Sequence, residues 1–271
     1  MKIFDCFMYF DEEVVLDLRL NILNEYVDYF VIIESIFTHK GEKRKLLFDP
    51  KKFEKFKEKI IYIPVTDMPD GDNPYLRENY QRNCIERGLI KADKNDIIII
   101  SDLDEIPNPK TLSKFKNDQR FAVFKQKHFY YKLNLLNINN PSWHGSRICI
   151  KKYLKSPQWL RDLKFKKRPF WRLDKKRLNN ILPNGGWHFC NLKTLDKLKY
   201  KYENLCETND PIVFNEKIDQ KYLTEKNIQN NIENRRDIIG RNDEFIKINI
   251  DKSFPQYLIH NLDKYKNDWV A

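Results

Sequence analysis

The chain of 271 residues is 41% hydrophobic and carries a net charge of +11, and this length and composition fit a folded protein with a sizeable buried core. It has no run of about 18 uncharged apolar residues and no basic start followed by an apolar stretch, so neither a membrane span nor a signal peptide is expected. Because the basic residues are spread along the chain, a nucleic-acid partner is not expected, although peripheral contact with an anionic membrane surface stays open.

The first half of the chain alternates short apolar runs with amphipathic stretches. Strands are predicted over residues 3–10, 29–34, 60–64 and 97–101, and helices over residues 13–23 and 73–90. Nearly continuous apolar runs of this length, separated by helices, are typical of a parallel sheet that is buried on both faces. The sequence therefore predicts the α/β class.

The second half of the chain has a different pattern. It contains a strand-like aromatic stretch over residues 121–131, a turn-rich stretch over 137–145, and predicted helices over 194–202, 220–234 and 243–248. No repeat or low-complexity linker separates the two halves. We therefore predict a single domain over residues 1–271.

Two aspartates follow the fourth predicted strand directly. Four isoleucines lead into Asp102 and Asp104, with Glu105 next. Alternate residues of an extended segment project to the same side, and ligands of open α/β sheets gather beyond the carboxyl ends of the strands. Two carboxylates placed there would repel each other unless a hard divalent cation lay between them, and Mg²⁺ or Mn²⁺ would leave positions open for a diphosphate. The alternative is a surface turn with two helix-capping acids before Pro107.

Segments that resemble a known family run through nearly the whole chain in order, namely residues 5–13, 18–20, 27–35, 77–85, 98–107, 184–189, 238–241 and 255–258. The stretch Ile98-Ile-Ile-Ser-Asp102-Leu-Asp104-Glu105-Ile-Pro107 resembles the DxD region of glycosyltransferase family 17, and residues 184–189 resemble its Gly-Gly-Trp-His-Phe-Ser block. This resemblance implies a GT-A-like fold with a Rossmann-type, mostly parallel central sheet flanked by helices. Residues 1–120 would form the nucleotide-binding half, and residues 121–271 a mixed α+β acceptor half.

The resemblance also implies a reaction. We expect a metal-dependent, inverting, N-acetylglucosaminyltransferase-like enzyme that moves GlcNAc, or another hexose or HexNAc, from a UDP-sugar to a hydroxyl of a glycan acceptor. Asp102, Asp104 and His188 would hold Mn²⁺ or Mg²⁺, with Glu105 orienting them. Two other functions stay open: a metal-dependent phosphoesterase or nuclease built on the same acids, and a non-catalytic protein that binds glycans or nucleic acid.

Candidate contacts to the nucleotide sugar lie at the ends of the first two strands and on the helix before the acidic motif. In the implied fold, the strand ends face the base and ribose, and one arginine of the helix would pair with the diphosphate or with an acid near the metal. Arg77 and Gln81 are four residues apart and share a helix face, whereas Arg82 lies on another. The full set is Asp5, Phe7, Glu34, Ser35, Arg77, Gln81, Arg82 and Asp102.

A further candidate segment is the Gly–Gly pair with the Trp and His that follow it. Gly185 and Gly186 permit positive φ and a close backbone approach to a ligand. Trp187 is suited to stacking on a sugar face, and His188 belongs to a common type of metal ligand. The alternative for His188 is a packed, hydrogen-bonded histidine.

Inversion at the anomeric carbon requires a carboxylate that takes a proton from the acceptor hydroxyl. The sequence does not single one out. The candidates in the acceptor half are Asp174, Glu203 and Glu207.

The cysteine content and the family resemblance both give an expectation of where in the cell the protein lies. The five cysteines are odd in number and none are spaced as CxxC, so free thiols in a reducing compartment are expected. Known eukaryotic members of the family are anchored in the Golgi by an N-terminal membrane segment, which this sequence does not show. We therefore expect a microbial or viral relative that is cytoplasmic, with at most peripheral membrane contact.

Overall fold

The structure of the protein is a computed structural model that describes residues 1–115, 119–164, 180–209 and 223–271. In these ranges, ten strands form one mixed sheet with helices on both faces. The first half contributes β1 (Ile3–Met8), α1 (Glu13–Leu23), β2 (Tyr29–Ser35), β3 (Ile60–Val65), α2 (Pro74–Asn83), α3 (Ile85–Gly88), β4 (Ile97–Asp102) and β5 (Glu105–Pro107).

The second half contributes ten further helices and strands in the described ranges. These are β6 (Phe121–Tyr130), β7 (Leu135–Asn137), β8 (Ser142–Ile150), α4 (Pro157–Asp162), β9 (Ile181–Cys190), α5 (Leu195–Asn204), α6 (Glu225–Glu233), β10 (Phe245–Lys247), α7 (Gln256–His260) and α8 (Leu262–Trp269). Short 3₁₀ turns lie at Pro50–Phe56, Pro109–Lys114, Lys151–Tyr153 and Glu207–Asn209.

The four strands predicted from the first half are parallel neighbours. They lie in the order β3-β2-β1-β4, and β8 then joins β4 in the antiparallel direction. The sheet continues through β6, β7 and β10, while β9 pairs in parallel with β6 and antiparallel with β5. The predicted α/β class is confirmed, with a parallel first half and a mixed second half.

Both faces of the parallel part of the sheet are buried, which explains the unbroken apolar runs. Phe30 and Ile32 of β2 join one core cluster with side chains of α1 and α7. Val31 and Ile33 point to the opposite face and join a second cluster with Ile85 of α3. Because successive residues of a strand face opposite sides, a strand covered on both sides is apolar throughout.

Two predicted helices differ from the structure. The helix predicted over residues 73–90 is divided at Cys84, whose ψ of −11° departs from the helical value of about −42°. The helix predicted over residues 243–248 is wrong, because β10 occupies its centre and pairs with β7. In β10, Phe245 is buried while Ile246 and Lys247 are exposed, and the backbone of Phe245, Ile246 and Lys247 pairs with β7. The predicted helices at 194–202 and 220–234 correspond to α5 and α6, and residues 220–222 lie outside the described ranges.

The sequence predicts free cysteine thiols and no membrane-spanning helix. All five cysteines are free thiols, and all but Cys190 are buried. None of the helices in the described ranges combines the length and the apolar character that crossing a membrane requires.

Gly185 and Gly186 lie inside β9, where they let three strands approach closely. A Cβ atom on Gly186 would lie 2.1 Å from the carbonyl oxygen of Ile106 in β5, and Gly186 has a φ of +131°. A Cβ atom on Gly185 would lie 2.7 Å from the backbone nitrogen of Lys125 in β6. The close approach that the Gly–Gly pair permits is therefore to neighbouring backbone, and strand packing accounts for both glycines.

We expect Gly186→Ala to lower the free energy of unfolding by about 3–5 kcal/mol, since it adds a backbone clash to a left-handed conformation. Gly71→Ala is the matched control, because Gly71 also has a positive φ of +120° but open space around a Cβ atom. Gly71→Ala should lower the free energy of unfolding by only about 1–2 kcal/mol. Urea unfolding followed by circular dichroism measures both, and equal losses would contradict the clash.

Candidate functional site

The acidic turn after β4, residues 102–105, is held in place by one buried arginine. Arg19 of α1 is fully buried and donates through Nη1 to the carbonyl oxygens of Asp102 (3.2 Å), Leu103 (3.0 Å) and Glu105 (2.9 Å). Its Nε and Nη2 bind the two carboxylate oxygens of Asp5 at 2.7 and 2.6 Å. The backbone of the turn is therefore fixed by a charge that is itself paired, as a buried charge requires.

This arrangement gives Asp5 and Phe7 positions that the sequence did not indicate. Asp5 is fully buried, and its carboxylate is paired with Arg19. The guanidinium carbon of Arg19 lies 4.6 Å above the centre of the Phe7 ring. Phe7 is also fully buried. Both residues thus lie beneath the turn and support it, and the structure does not bring them to an open face of the crevice.

Asp102 lies between two arginines that come from different helices. Its Oδ1 is 3.1 Å from Arg82 of α2, and its Oδ2 is 2.7 Å from Arg161 of α4. Burial opposes ionisation, but the positive charges of Arg161 and Arg82 outweigh it and hold the pKa of Asp102 below its usual range. Arg82 also binds Glu78 at 2.6 Å. Both carboxylate oxygens of Asp102 therefore face cations of the protein.

Glu105 is buried and orients the groups around the turn. Its carboxylate accepts hydrogen bonds from Arg161 at 2.7 and 3.1 Å and from the indole N–H of Trp143 at 2.7 Å. It also accepts the backbone N–H of Asp102 at 3.1 Å. These contacts fix Arg161, Trp143 and the backbone of Asp102, and a role of Glu105 in orienting metal ligands stays a prediction.

Asp104 lies beside His188 because β5 pairs with β9. Glu105 is opposite His188 in the strand register, and the N–H of Phe189 donates to the carbonyl of Asp104 at 2.9 Å. His188 Nε2 is 3.4 Å from Asp104 Oδ1. Burial disfavours both charges, but each group stabilises the other, so the pKa of Asp104 is lowered and that of His188 is raised.

The spacing of Asp104 and His188 fits a shared metal ion. Two neighbouring ligands with bonds of about 2.1 Å lie roughly 3.0–3.4 Å apart, which matches the observed separation. A carboxylate and an imidazole are both suitable ligands for Mn²⁺, and an ion would take the place of the proton on Nε2. Asp102, whose side chain is 39% exposed, faces its two arginines instead.

The expected contacts at the end of β2 are buried as well. The Glu34 carboxylate accepts the N–H groups of Leu47 and Phe48 at 2.7 and 3.0 Å and the Tyr62 hydroxyl at 2.9 Å. The Ser35 hydroxyl accepts the N–H of Phe37 at 2.9 Å. Glu34 and Ser35 therefore shape the loop that follows β2.

The candidates on α2 separate into two groups. Arg77 donates to the carbonyl oxygens of His39, at 3.0 Å, and of Gly71, while Gln81 Oε1 lies 3.0 Å from His39 Nε2. These two residues hold the loop after β2. Arg82, by contrast, reaches the acidic turn, so it is the candidate on this helix that the structure brings to Asp102.

The remaining candidates lie apart from the acidic turn. Trp187 is buried in the core, and its indole N–H donates to the carbonyl of Ser253 at 3.0 Å. Glu203 is exposed on α5, and Glu207 pairs with Arg241 at the surface. Asp174 lies outside the described residues.

Two groups near the turn are absent from the sequence-based candidates. Glu12 follows β1 and binds Lys193 at 2.9 Å, and its other oxygen accepts the N–H groups of Phe10 and Asp11. Burial raises the pKa of Glu12, and the negative charge of Asp104 adds to this. The run of acids at residues 11–13 was a usable signal, because β1 and β4 are parallel neighbours whose ends meet. Arg161 is far from the acidic motif in sequence, and only the fold brings it to Asp102.

Comparison with known proteins confirms the family resemblance. The model of glycosyltransferase family 17 matches residues 1–267. Over 103 residues, the chain is similar to the β-1,4-mannosyl-glycoprotein 4-β-N-acetylglucosaminyltransferases of Homo sapiens (33% identical), Rattus norvegicus (33%) and Mus musculus (32%). Each alignment covers 34% of this chain and 19% of the relative, so the matched part spans about a fifth of those proteins.

We expect Asp5→Asn to lower the free energy of unfolding by about 3–5 kcal/mol, because it leaves the Arg19 charge buried without its counter-ion. Chemical unfolding of the purified chain measures this. Glu13→Gln is the control, since Glu13 and Lys52 form an ion pair that is about half exposed, and it should change little. A small loss for Asp5→Asn would contradict the supporting role of the Asp5–Arg19 pair.

Proposed function

Because the chain belongs to glycosyltransferase family 17, we propose that it transfers a sugar, GlcNAc or another hexose or HexNAc, from a UDP-sugar to a hydroxyl of a glycan. The observation that carries this proposal is the acidic turn at the end of β4, with Asp104 beside His188 and Asp102 between two arginines. This is the edge of a parallel α/β sheet at which ligands gather.

The sheet supports a GT-A-like, Rossmann-type arrangement in one domain. The order β3-β2-β1-β4 is that of a nucleotide-binding half of such folds. The pairing of β4 with β8 joins the nucleotide-binding half to the acceptor half in one continuous sheet. This arrangement supports a single catalytic unit over residues 1–271.

We propose Mn²⁺ or Mg²⁺ as the cofactor, held by Asp104 and His188, with Asp102 next to it. When bound, such an ion neutralises charge on the diphosphate as the nucleotide leaves. Arg82 and Arg161 contribute positive charge at the same edge, and planar guanidinium groups suit phosphate oxygens. Glu105 holds Arg161 in place and thereby positions this charge.

The proposed transfer inverts the anomeric carbon, which requires a carboxylate to accept the proton of the acceptor hydroxyl. Among the described carboxylates, we favour Glu12 over Glu203 and Glu207. Glu12 is buried, its pKa is raised toward the range useful for proton transfer, and it lies close enough to Asp104 to feel its charge. Glu12 binds Lys193, and Glu207 binds Arg241 at the surface, so pairing does not separate these two carboxylates. Burial next to Asp104 distinguishes Glu12 from Glu207 and from the exposed Glu203.

We expect Asp104→Ala to reduce UDP release from a UDP-sugar by about 100- to 1,000-fold or more, since the ion loses its carboxylate ligand. The assay supplies Mn²⁺ and, in turn, UDP-GlcNAc, UDP-GalNAc, UDP-Glc and UDP-Gal. Asp263→Asn, at an exposed ion pair on α8, is the control and should keep full activity. An active Asp104→Ala enzyme, or release of phosphate instead of UDP, would argue against the proposed transfer.

We expect Glu12→Gln to lower kcat by about 100-fold or more and to remove the acid limb of the pH–rate profile. Glu203→Gln and Glu207→Gln should keep a normal kcat and the acid limb of the pH–rate profile. The profile separates a role in proton transfer from a structural one, because a structural change lowers activity at every pH. A normal pH profile in Glu12→Gln would rule Glu12 out as the base.

A further inference from the structure

Two histidines and a cysteine face one another behind the acidic turn. His128 of β6 lies opposite His188 of β9 in the strand register, and their rings stack with centroids 4.8 Å apart and planes 1° apart. Cys190 follows two residues after His188, on the same face of β9. One nitrogen of each ring and the Cys190 sulfur all lie within 4.8 Å of one another.

The hydrogen bonding of His128 leaves one nitrogen with a free lone pair. Its Nδ1 lies 3.1 Å from the carbonyl oxygen of Asn140, which can only accept, so the proton resides on Nδ1. Its Nε2 is buried and has no hydrogen-bond partner among the described residues.

His188 lies with Nε2 toward the Asp104 carboxylate, and its Nδ1 is buried without a hydrogen bond of good geometry in the described part of the chain. The Cys190 side chain interacts with the same ring, so a metal ion here would displace a proton from His188. His128 and His188 are only 5% and 8% exposed. Leaving buried nitrogens unsatisfied is unfavourable by about 1–3 kcal/mol each, and one nitrogen of each ring lies close to the Cys190 sulfur, so the cluster points to a ligand.

We propose that His128 Nε2, His188 Nδ1 and Cys190 Sγ form a binding site for Zn²⁺. This site is an alternative to the position proposed for the catalytic ion, because zinc on Nδ1 keeps the Nε2 proton that the catalytic ion would replace. Imidazole and thiolate ligands favour Zn²⁺ over Mg²⁺ or Mn²⁺. Binding releases the Cys190 thiol proton to solvent, and the three protein ligands leave one position of a tetrahedral ion for water.

The surroundings of the three residues resemble a built zinc site. Zinc-binding histidines usually donate their second N–H to a carbonyl or a carboxylate, and here the Asn140 carbonyl and Asp104 take these positions. Ligands around a tetrahedral zinc ion lie about 3.4–3.8 Å apart, and the ion lies in the plane of each imidazole ring. Zinc binding would therefore draw the three groups about 1 Å closer and rotate the two histidine rings out of their parallel stack. The ion would link β6 to β9 and hold His188 with its Nε2–H toward Asp104.

Cobalt substitution tests the proposal on the full chain, stripped of metal and free of UDP-sugar and Mn²⁺. We expect one Co²⁺ per chain with a thiolate-to-cobalt charge-transfer band, and displacement of Co²⁺ by Zn²⁺. Cys190→Ser should abolish the band, and Cys190→Ser and His128→Asn should each weaken zinc binding by about 100-fold or more in competition with a chromogenic chelator. Cys206→Ser is the matched control, because Cys206 also contacts a histidine, His39, and it should leave affinity and band unchanged.

Protection from alkylation tests the site in the unsubstituted protein, whatever the folding of the variants. Zinc should slow the alkylation of Cys190 by iodoacetamide at least tenfold, read by peptide mass spectrometry, with the four other cysteines as internal comparison. A cobalt spectrum without the band, undiminished zinc affinity in Cys190→Ser, or no protection of Cys190 would overturn the proposal. Since none of these readouts involves sugar transfer, a chain that binds zinc but releases no UDP would count against the proposed function alone.

Discussion

The buried guanidinium of Arg19 is the interaction on which the acidic turn depends. The Asp5 carboxylate of β1 neutralises this charge, and Nη1 of Arg19 donates hydrogen bonds to three carbonyl oxygens of the turn after β4. A turn that carries several carboxylates repels itself, and backbone oxygens directed at a cation offset part of that repulsion. The positions of Asp102 and Asp104 thus depend on the charge of Arg19, although Arg19 contacts the backbone of the turn and not these two side chains.

Strand β9 supplies the second half of the arrangement. It lies between β5 and β6, and Gly186 allows the backbone of β9 to approach β5 closely enough for pairing. That pairing sets His188 opposite Glu105 and beside Asp104. The glycines therefore act on the site through register and not through direct contact with a ligand, and the histidine occupies its place because of backbone hydrogen bonds.

Much of this architecture could be predicted from local sequence, and the rest depends on distant partners. The apolar run before Asp102 predicts β4, and the acids after it predict a charged sheet edge. From the sequence, we expect one arginine of the helix before the motif to pair with the diphosphate or with an acid near the metal. The sequence could not tell that Arg82 is that arginine, or that Arg161 joins it at Asp102, because both depend on the packing of two helices that are far apart in sequence. Asp5 illustrates a missed signal: an acid inside an apolar strand, and Arg19 between two leucines of α1, each called for a buried partner of opposite charge.

The contacts of Arg19 also impose an order on how the molecule can assemble. Its carbonyl acceptors lie 83, 84 and 86 residues further along the chain, whereas Asp5 is only 14 residues away. During synthesis from the N-terminus, the Asp5–Arg19 pair can therefore form on the order of ten seconds before the acidic turn emerges. Such long-range contacts form slowly, because the chain between them must first be ordered. The acidic turn can thus gain its contacts to Arg19 only after 83 to 86 further residues have been made.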